Sequence, residues 1–337
     1  VCEEVGMEGA TGIDVSMLKG KKLLNMDSEE EGVMLASCAG GCRADVKLPV
    51  ERETVSGTKL TVSLSGLTGG HSGSEIDKGR GNANILMSRL LRDASAPVDI
   101  ASIDGGRKDN AIPRECTAQI IVAPDEAAAV KASIEQAAAE IAEEFKASDP
   151  DLKLTVSEET DCSESAISAK DSARVIALIE ALPNGIIRMS REIDKLVETS
   201  LNLGVLKSDD AAVTLRYAVR SSVGVAKKSL KNQLVCIAGA FAAEVTFEGD
   251  YPAWEYKKDS KLREDMVRIF EEMYGKKPTV EAIHAGVECG LLSGKIEGLD
   301  CISMGPDMYD IHTTEERLSI SSAKRSYEYI LRVIACK

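Results

Sequence analysis

Two adjacent carboxylates, Glu3 and Glu4, stand at the head of the chain, followed by Gly6. Neighbouring side chains in an extended loop point in different directions, so one carboxylate of such a pair can bind a metal while the other faces a metal-bound water. An isolated Glu-Glu is also a common solvated acidic turn. Only three histidines occur, His71, His284 and His312, each among glycine or acidic residues rather than on an apolar helix face. Asp27 and His312 could complete with Glu4 an oxygen and nitrogen donor set, which suits zinc, manganese or cobalt better than calcium. His312 lies in Asp310-Ile311-His312-Thr313, shortly after Gly305-Pro306, in a loop beyond the last strand. Glu29, Glu30 and Glu31 read as a solvated run whose charge deepens the potential that attracts a dication.

The stretch Gly69-Gly70-His71-Ser72-Gly73 is either a tight turn or a way to hold His71 where bare backbone lets a ligand approach closely. No Gly-Lys-Ser/Thr follows it, so it is not a phosphate loop, and Ser72 does not fit the Gly-x-Ser-x-Gly nucleophile elbow. Serine hydrolysis is disfavoured. Arg216 and Arg220 lie within or just after a strand rich in Val, Leu and Tyr. Arg216 either faces solvent or carries a carboxylate partner, from the protein or from a ligand. Nine cysteines, from Cys2 to Cys336 and with no CxxC pair, read as reduced, part-buried thiols.

The elements that must position these residues alternate between α and β. Lys22 to Met26 is a short apolar strand ending at Asp27, and ligand crevices in open α/β sheets lie at the carboxyl ends of strands. From about residue 42 the pattern changes, with alternation at Leu60, Val62 and Leu64 and a Gly-rich turn. Leu86, Met87, Leu90 and Leu91 then recur at helical spacing after the cap Asn82. Thr117 to Val122 reads as a strand, Asp125 to Lys146 as a long Ala/Glu-rich helix, and Leu152 to Val156 as a strand. Much the same order recurs: helix Asp171 to Leu182, strands near Leu201 to Leu206 and Val213 to Val219, helix Lys228 to Ala242, strand Glu244 to Glu248. Two such halves make one inserted domain. Helix Lys261 to Tyr274, the buried strand Cys301 to Met304 and the amphipathic helix Ser322 to Ile334 are α/β again. The expected organisation is an α/β domain built from residues 1–41 and 253–337 around an inserted α+β domain spanning 42–252.

A chain of 337 residues with 44% hydrophobic content is long enough for two globular domains, each with its own core. The net charge of -14 repels a phosphate backbone, and no Lys/Arg cluster interleaved with aromatics offsets that field, which argues against a nucleic-acid partner. No apolar run approaches a membrane span and no signal peptide precedes the first motif, so no membrane partner and a cytoplasmic location are expected. Val1 is not an initiator Met and the chemistry begins at Glu3, so a natural N-terminal segment is expected to be missing.

Eight stretches carry a resemblance: CEEVGMEGA (2–10), NMDSEEEG (25–32), GLTGGHSGSEIDKGRGNAN (66–84), DNAIPRE (109–115), PNGIIRMS (183–190), VETSLNLG (197–204), AIHAGVECG (282–290) and SMGPDMYDIHTTEER (303–317). In this order they resemble the PepD-like aminoacyl-histidine dipeptidases of the co-catalytic zinc peptidase and aminoacylase group, over essentially the whole chain. The resemblance implies an open-sheet zinc-peptidase catalytic domain, incomplete at its N-terminus, with an inserted α+β lid of two ferredoxin-like halves. It implies two divalent metal ions, zinc or else cobalt or manganese, and hydrolysis of dipeptides, Xaa-His or broader.

By the same resemblance Glu3 is the general base, Glu4, Asp27 and His312 are metal ligands, and His71 donates to the oxyanion. Asn110 and Arg220 match substrate-binding positions, Arg220 as the partner of the C-terminal carboxylate. Glu288, Cys289 and Gly290 match the segment that lines the pocket near the free amino group. The family's earlier His-x-Asp motif and metal-bridging Asp are not among these residues, so the chain alone is expected to be inactive. A lid of this kind often pairs with a second copy, which implies a homodimer through residues 42–252. The rival readings are an N-acyl amino acid deacylase or tripeptidase, and a non-catalytic binding or assembly module. A binding module would have no use for Glu3, Glu4, Asp27, His71 and His312 together.

Overall fold

The computed structural model describes residues 7–311 and 314–336. The chain begins with a short helix α1 (Glu8–Gly12) and the strands β1 (Lys22–Asn25) and β2 (Val33–Cys38). There follow β3 (Gly40–Pro49), β4 (Arg52–Ser65), the two-residue strand β5 (Gly70–His71), α2 (Ala83–Arg92), β6 (Asp99–Gly105), the two-residue β7 (Ala111–Ile112), β8 (Cys116–Val122), α3 (Ala127–Phe145) and β9 (Lys153–Ile167). Next come α4 (Ala169–Ala181), β10 (Gly185–Met189), β11 (Val197–Ser208), β12 (Ala212–Ser221), α5 (Gly224–Ala240) and β13 (Glu244–Tyr251). The last stretch holds α6 (Lys261–Tyr274), β14 (Thr279–Ile283), α7 (Glu288–Lys295), β15 (Asp300–Ser303), the paired β16 (Met308–Tyr309) and β17 (Arg317–Leu318), and α8 (Ile320–Ala335).

Residues 40–251 build a nine-stranded antiparallel sheet in the order β13-β3-β12-β11-β6-β8-β4-β9, with β10 paired to β11. Its apolar residues alternate: Cys42, Ala44, Val46 and Leu48 on β3, and Leu60, Val62 and Leu64 on β4, point to one face and are buried there under α2, α3, α4 and α5. The sheet divides into two halves of identical topology. One is β4-α2-β6-β8-α3-β9 with spatial order β9-β4-β8-β6; the other is β3-α4-β11-β12-α5-β13 with spatial order β13-β3-β12-β11. Both are ferredoxin-like, as expected. They are not consecutive, however: the first half is inserted into the second, between β3 and α4. The first strand of the second half was hidden in the sequence because its inward row begins with the small Cys42 and Ala44, and Arg43, Asp45 and Lys47 alternate with that row. The strand expected at Leu152 to Val156 runs on to Ile167, and β6 was not expected.

The halves meet where β6 lies against β11, and that ladder holds only two register pairs, Leu206 with Gly105 and Lys207 with Asp104.

The ends of the chain form a smaller four-stranded sheet, ordered β1-β15-β2-β14, in which β1 runs parallel to β15 and β14 parallel to β2. Alternate residues face opposite ways. Met34, Ile302 and Met304 pack under Met266, Phe270 and Tyr329 of α6 and α8, while Cys38 and Cys301 pack with Trp254 and Cys289 beside α7. The described cysteines are free thiols, as expected.

One expectation fails here. Glu31 is not part of a solvated run: its carboxylate is half-buried and receives Nε and Nη2 of Arg325, at 2.7 and 2.5 Å. The charge-assisted pair fastens α8 to the turn after β1, and it holds the Glu31 carboxyl below its usual range.

Candidate active site

Glu3, Glu4 and His312 lie outside the described residues. Asp27 is exposed two residues past the end of β1. Because β1 and β15 are parallel, Asp27 and the chain after β15 leave the sheet at the same end. The two segments are tied there: Met304 N donates to Asn25 O at 3.0 Å, Met308 N to Glu29 O at 2.8 Å, and the Ser28 and Ser303 hydroxyls meet at 2.9 Å. A Cβ on Gly305 would stand 1.7 Å from the Ser28 carbonyl oxygen, so only glycine permits this approach. The fold therefore brings the Asp27 turn and the segment leading to residue 312 together. Among the described residues no group of three or more His, Cys, Asp or Glu could hold a metal ion. Asp27 fits such a group as one oxygen donor.

A second set of polar residues gathers on the helix-free face of the large sheet. Ile186, Ser200, Arg220, Gly41 and Tyr251 form one row of directly opposed residues across β10, β11, β12, β3 and β13. Gly41 has no side chain, and the Tyr251 ring fills the place: a Cβ on Gly41 would stand 2.6 Å from its hydroxyl. The Arg220 side chain makes no hydrogen bond or ion pair among the described residues, and its Nε is buried without a partner. Arg216, four residues earlier, contrasts with it: its guanidinium is matched to Asp45 by two bonds of 2.7 Å, so the protein supplies its carboxylate.

His284, on the segment between β14 and α7, closes over this row. Its Nε2 lies 2.7 Å from Ser200 Oγ, while Nδ1 is buried with no hydrogen bond of ordinary geometry. Burial, with the charges of Arg220 and His71 adding, pushes its pKa down to about 3, against a weak opposing effect of the Val197 carbonyl. His284 is therefore a neutral ring near neutral pH.

His71 ends β5, which pairs with β7. Its main-chain N donates to Glu75 Oε2 at 2.8 Å, and Glu75 in turn holds Arg80 at 2.9 Å. Its ring Nδ1 accepts from Ser74 N at 3.1 Å and from Gly73 N at 3.3 Å. An Nδ1 that accepts two main-chain N–H groups leaves the proton on Nε2, which is thus a fixed donor. Burial first, and then the Arg220 charge, lower the His71 pKa, so the neutral donor form dominates. A Cβ on Gly73 would lie 2.6 Å from the His284 carbonyl oxygen and 2.9 Å from His71 Cε1. The glycine lets the His71 turn rest directly on the His284 backbone.

Asn110 is exposed at the tip of the loop between β6 and β7, its carbonyl accepting from Ser72 N at 2.9 Å. Glu288 opens α7 and is partly buried; Gly290 is buried in the same helix, where a Cβ would stand 2.8 Å from the Pro252 carbonyl oxygen. The structure thus unites His71, His284 and Arg220, with Asn110 on the adjoining loop. Ser200, Tyr251 and Asn202 were missed in the sequence, although the polar run Glu198, Thr199, Ser200 and Asn202 inside an apolar strand, all buried, was a usable signal.

The described site thus consists of a small sheet with exposed Asp27 past the carboxyl end of β1 and a large two-part sheet that presents a histidine donor and an arginine without a hydrogen bond among the described residues. A model of the peptidase dimerisation domain matches residues 62–149, within the half from β4 to β9. The chain is 35% identical over 324 residues to the cytosol non-specific dipeptidase of Escherichia coli (strain K12), covering 95% of this chain and 67% of that protein. The crystal structure of aminoacylhistidine dipeptidase from Vibrio alginolyticus superposes with a TM-score of 0.91 at 32% identity, over 99% of this chain and 69% of that one. The chain belongs to the PepD-like aminoacyl-histidine dipeptidase family of M20 metallopeptidases. Membership implies a divalent metal cofactor and hydrolysis of peptide bonds. Among the described residues no helix is long and apolar enough to cross a membrane.

Proposed function

We propose that this protein is a cytoplasmic metal-dependent dipeptidase, with residues 1–41 and 253–337 as its catalytic domain and 42–252 as its lid. The observation that carries the reading is Arg220: a guanidinium with no hydrogen bond or ion pair among the described residues, beside a neutral histidine whose Nε2–H is fixed as a donor, in a chain that matches a dipeptidase over 95% of its length. Unpaired, part-buried arginine is costly to keep unless a carboxylate ligand completes it.

Glu4, Asp27 and His312 would hold two divalent metal ions, zinc or else cobalt or manganese; their donor types and the shared end of β1 and β15 support this. When bound, the metal supplies at neutral pH a water of lowered pKa. Glu3 takes the proton from the attacking water and returns it to the leaving amine. His71 donates from Nε2 to the tetrahedral oxyanion, a kind of donor whose loss costs about a hundredfold or more in rate. Arg220 receives the C-terminal carboxylate and Asn110 a further polar group of the substrate, while Glu288 and Gly290 line the amino-group side. Fixing both charged ends leaves room for two residues, a physical reason for dipeptide cleavage. The matched dimerisation domain, with Ile186, Ile187 and Met189 exposed on β10, supports a homodimer through the lid.

Metal content and dipeptide hydrolysis, measured with zinc, cobalt or manganese added on this chain joined to the family's segment that carries the His-x-Asp motif and the bridging Asp, test the reading. Hydrolysis that needs metal and is abolished by Glu3→Ala is expected. Absence of metal binding and of hydrolysis under all three conditions would remove the enzymatic reading.

A further inference from the structure

We propose that Asn202 is a positioning residue whose buried side-chain amide holds, through the carbonyls on either side of Asn110, both Asn110 and the His71 turn in reactive geometry. The proposal rests on the dipeptidase reading of His71 and Asn110 given above.

The reason for such a residue lies in the seam between the two halves. The β6–β11 ladder ends after two register pairs, at Gly105. The chain leaves β6 through Gly106 in the left-handed region, at φ 74°. It then crosses β11 at Gly204, so closely that a Cβ on Gly106 would stand 1.9 Å from Gly204 O and one on Gly204 2.4 Å from Asp109 O. The crossing interrupts the ladder just where the loop carrying Asn110 begins. Main-chain groups no longer hold the loop to β11.

The Asn202 side chain takes over that task. Its Nδ2 donates to Ala111 O at 2.8 Å and to Asp109 O at 3.1 Å, the carbonyls flanking Asn110. Its Oδ1 accepts from Asn82 Nδ2 at 3.1 Å, and Asn82 also caps α2 by accepting from Asn84 N and donates to Leu203 O. Asn202 is 1% exposed, and both its amide hydrogens and its oxygen are engaged, so it has no alternative orientation. From the loop the constraint passes on: Asn110 O receives Ser72 N at 2.9 Å, and His71 is opposed to Ala111 in the β5–β7 pair. Asn202 touches neither the substrate-facing Asn110 side chain nor the His71 ring, yet it is one carbonyl removed from each.

Only an amide supplies two donors and one acceptor in this shape. Aspartate has the same outline but would turn oxygen toward two carbonyl oxygens, and serine offers one donor at most.

The test compares Asn202→Asp and Asn202→Ser with the wild type and in a His71→Ala background, on the metal-loaded chain joined to the family's segment that carries the His-x-Asp motif, with a dipeptide substrate. Misplacing a catalytic group by about 1 Å costs on the order of a hundredfold, so Asn202→Asp should lower kcat about ten- to hundredfold, and Asn202→Ser less. In the His71→Ala background the same substitution should cost severalfold less than in the wild type, because one of the two groups it positions is gone. A readout independent of turnover is the ring resonances of the three histidines: Asn202→Asp should move those of His71 more than those of His284. Equal losses in both backgrounds, or a lowered Tm with unmoved His71 resonances, would show a residue that serves stability alone and overturn the proposal. A His71→Ala variant as active as the wild type would overturn it by removing the underlying reading of His71, while unchanged dependence on Arg220 and metal would leave the dipeptidase itself standing.

Discussion

Ser200 and Arg220 face each other directly across β11 and β12, yet only one of them is satisfied by the protein: Ser200 binds His284 at 2.7 Å, while Arg220 Nε is buried without a partner. That asymmetry separates Arg220, which we propose receives a ligand carboxylate, from Arg216 on the same strand, which is clamped to Asp45 of β3. Hydrogen bonds to an ionised partner contribute about 1.5–3 kcal/mol. Arg220→Ala should therefore raise KM for free dipeptides about ten- to hundredfold and raise it little for their C-terminal amides. Tm should not fall, since an uncompensated part-buried charge is removed. Arg216→Ala should do the reverse, leaving KM in place and lowering stability by about 1 kcal/mol. An Arg220→Ala protein with normal KM and depressed Tm would mean that Arg220 is structural.

The buried neutral His284 makes a prediction about acid stability. Its pKa is 6.5 in an ordinary setting and about 3 in the fold, so between these values the unfolded chain binds the proton and the folded one does not. Stability then rises with pH across that window; the His284 contribution is fully present above pH 6.5 and is lost as pH falls toward 3. Its size is on the order of 3–5 kcal/mol at most. Denaturant midpoints of the wild type and His284→Asn, measured from pH 8 to pH 4, should converge as pH falls. Parallel curves would show that this ring is protonated inside the fold or is solvated.

Gly305 should tolerate no side chain. The Ser28 carbonyl stands where a Cβ would go, and the crowded atom belongs to main chain rather than to the end of a flexible side chain. Overpacking of this kind costs about 1–3 kcal/mol. Gly305→Ala should lose that much in urea denaturation and, because it pries the Asp27 turn from the segment beyond β15, should weaken metal binding severalfold. Normal metal affinity in a destabilised Gly305→Ala protein would mean that the turn can move without consequence for the metal.

Much of this architecture was legible in the sequence. The helices around Leu86 to Leu91 and over 261–274 and 322–334 follow from apolar spacing, and β12 and β15 from short apolar runs, because those segments bury one stripe or one face. β3 and β6 were harder: in β3 the charged Arg43, Asp45 and Lys47 alternate with Cys42, Ala44 and Val46, and in β6 a register shift between Ile100 and Ser102 breaks the alternation of Ile100 and Ile103. The interleaving of the two halves is invisible to local pattern, because nothing in β3 marks that its partner strands lie more than a hundred residues onward. His71 and Arg220 were recognised as residues. What was not legible is the row that unites Ser200, Arg220, Gly41 and Tyr251, which is a property of register, and the use of Asn202, which depends on a strand crossing at two glycines.

Glu31 shows how a misread acidic residue can bear on the same site. Its carboxylate pairs with Arg325 of α8, its main-chain N donates to Asp307 Oδ1 at 2.8 Å, and Tyr274 OH donates to Arg325 O at 3.0 Å. The pair is only partly shielded, with side-chain exposures of 42% for Arg325 and 18% for Glu31, so Arg325→Ala should cost about 1 kcal/mol rather than the several of a buried pair. The Glu31 pKa is lowered from 4.5 in the fold, chiefly by the Arg325 hydrogen bonds. Its contribution is therefore present above pH 4.5 and disappears as pH falls through the folded value, and the wild type and Glu31→Gln should differ in stability at pH 7 but converge in acid. Because the pair anchors the turn that begins at Asp27, both variants should also bind metal severalfold more weakly while keeping KM for the dipeptide. A gap in stability that stays constant from pH 7 to pH 3 would assign the effect to packing of the two side chains, and an unchanged metal affinity would detach α8 from the site.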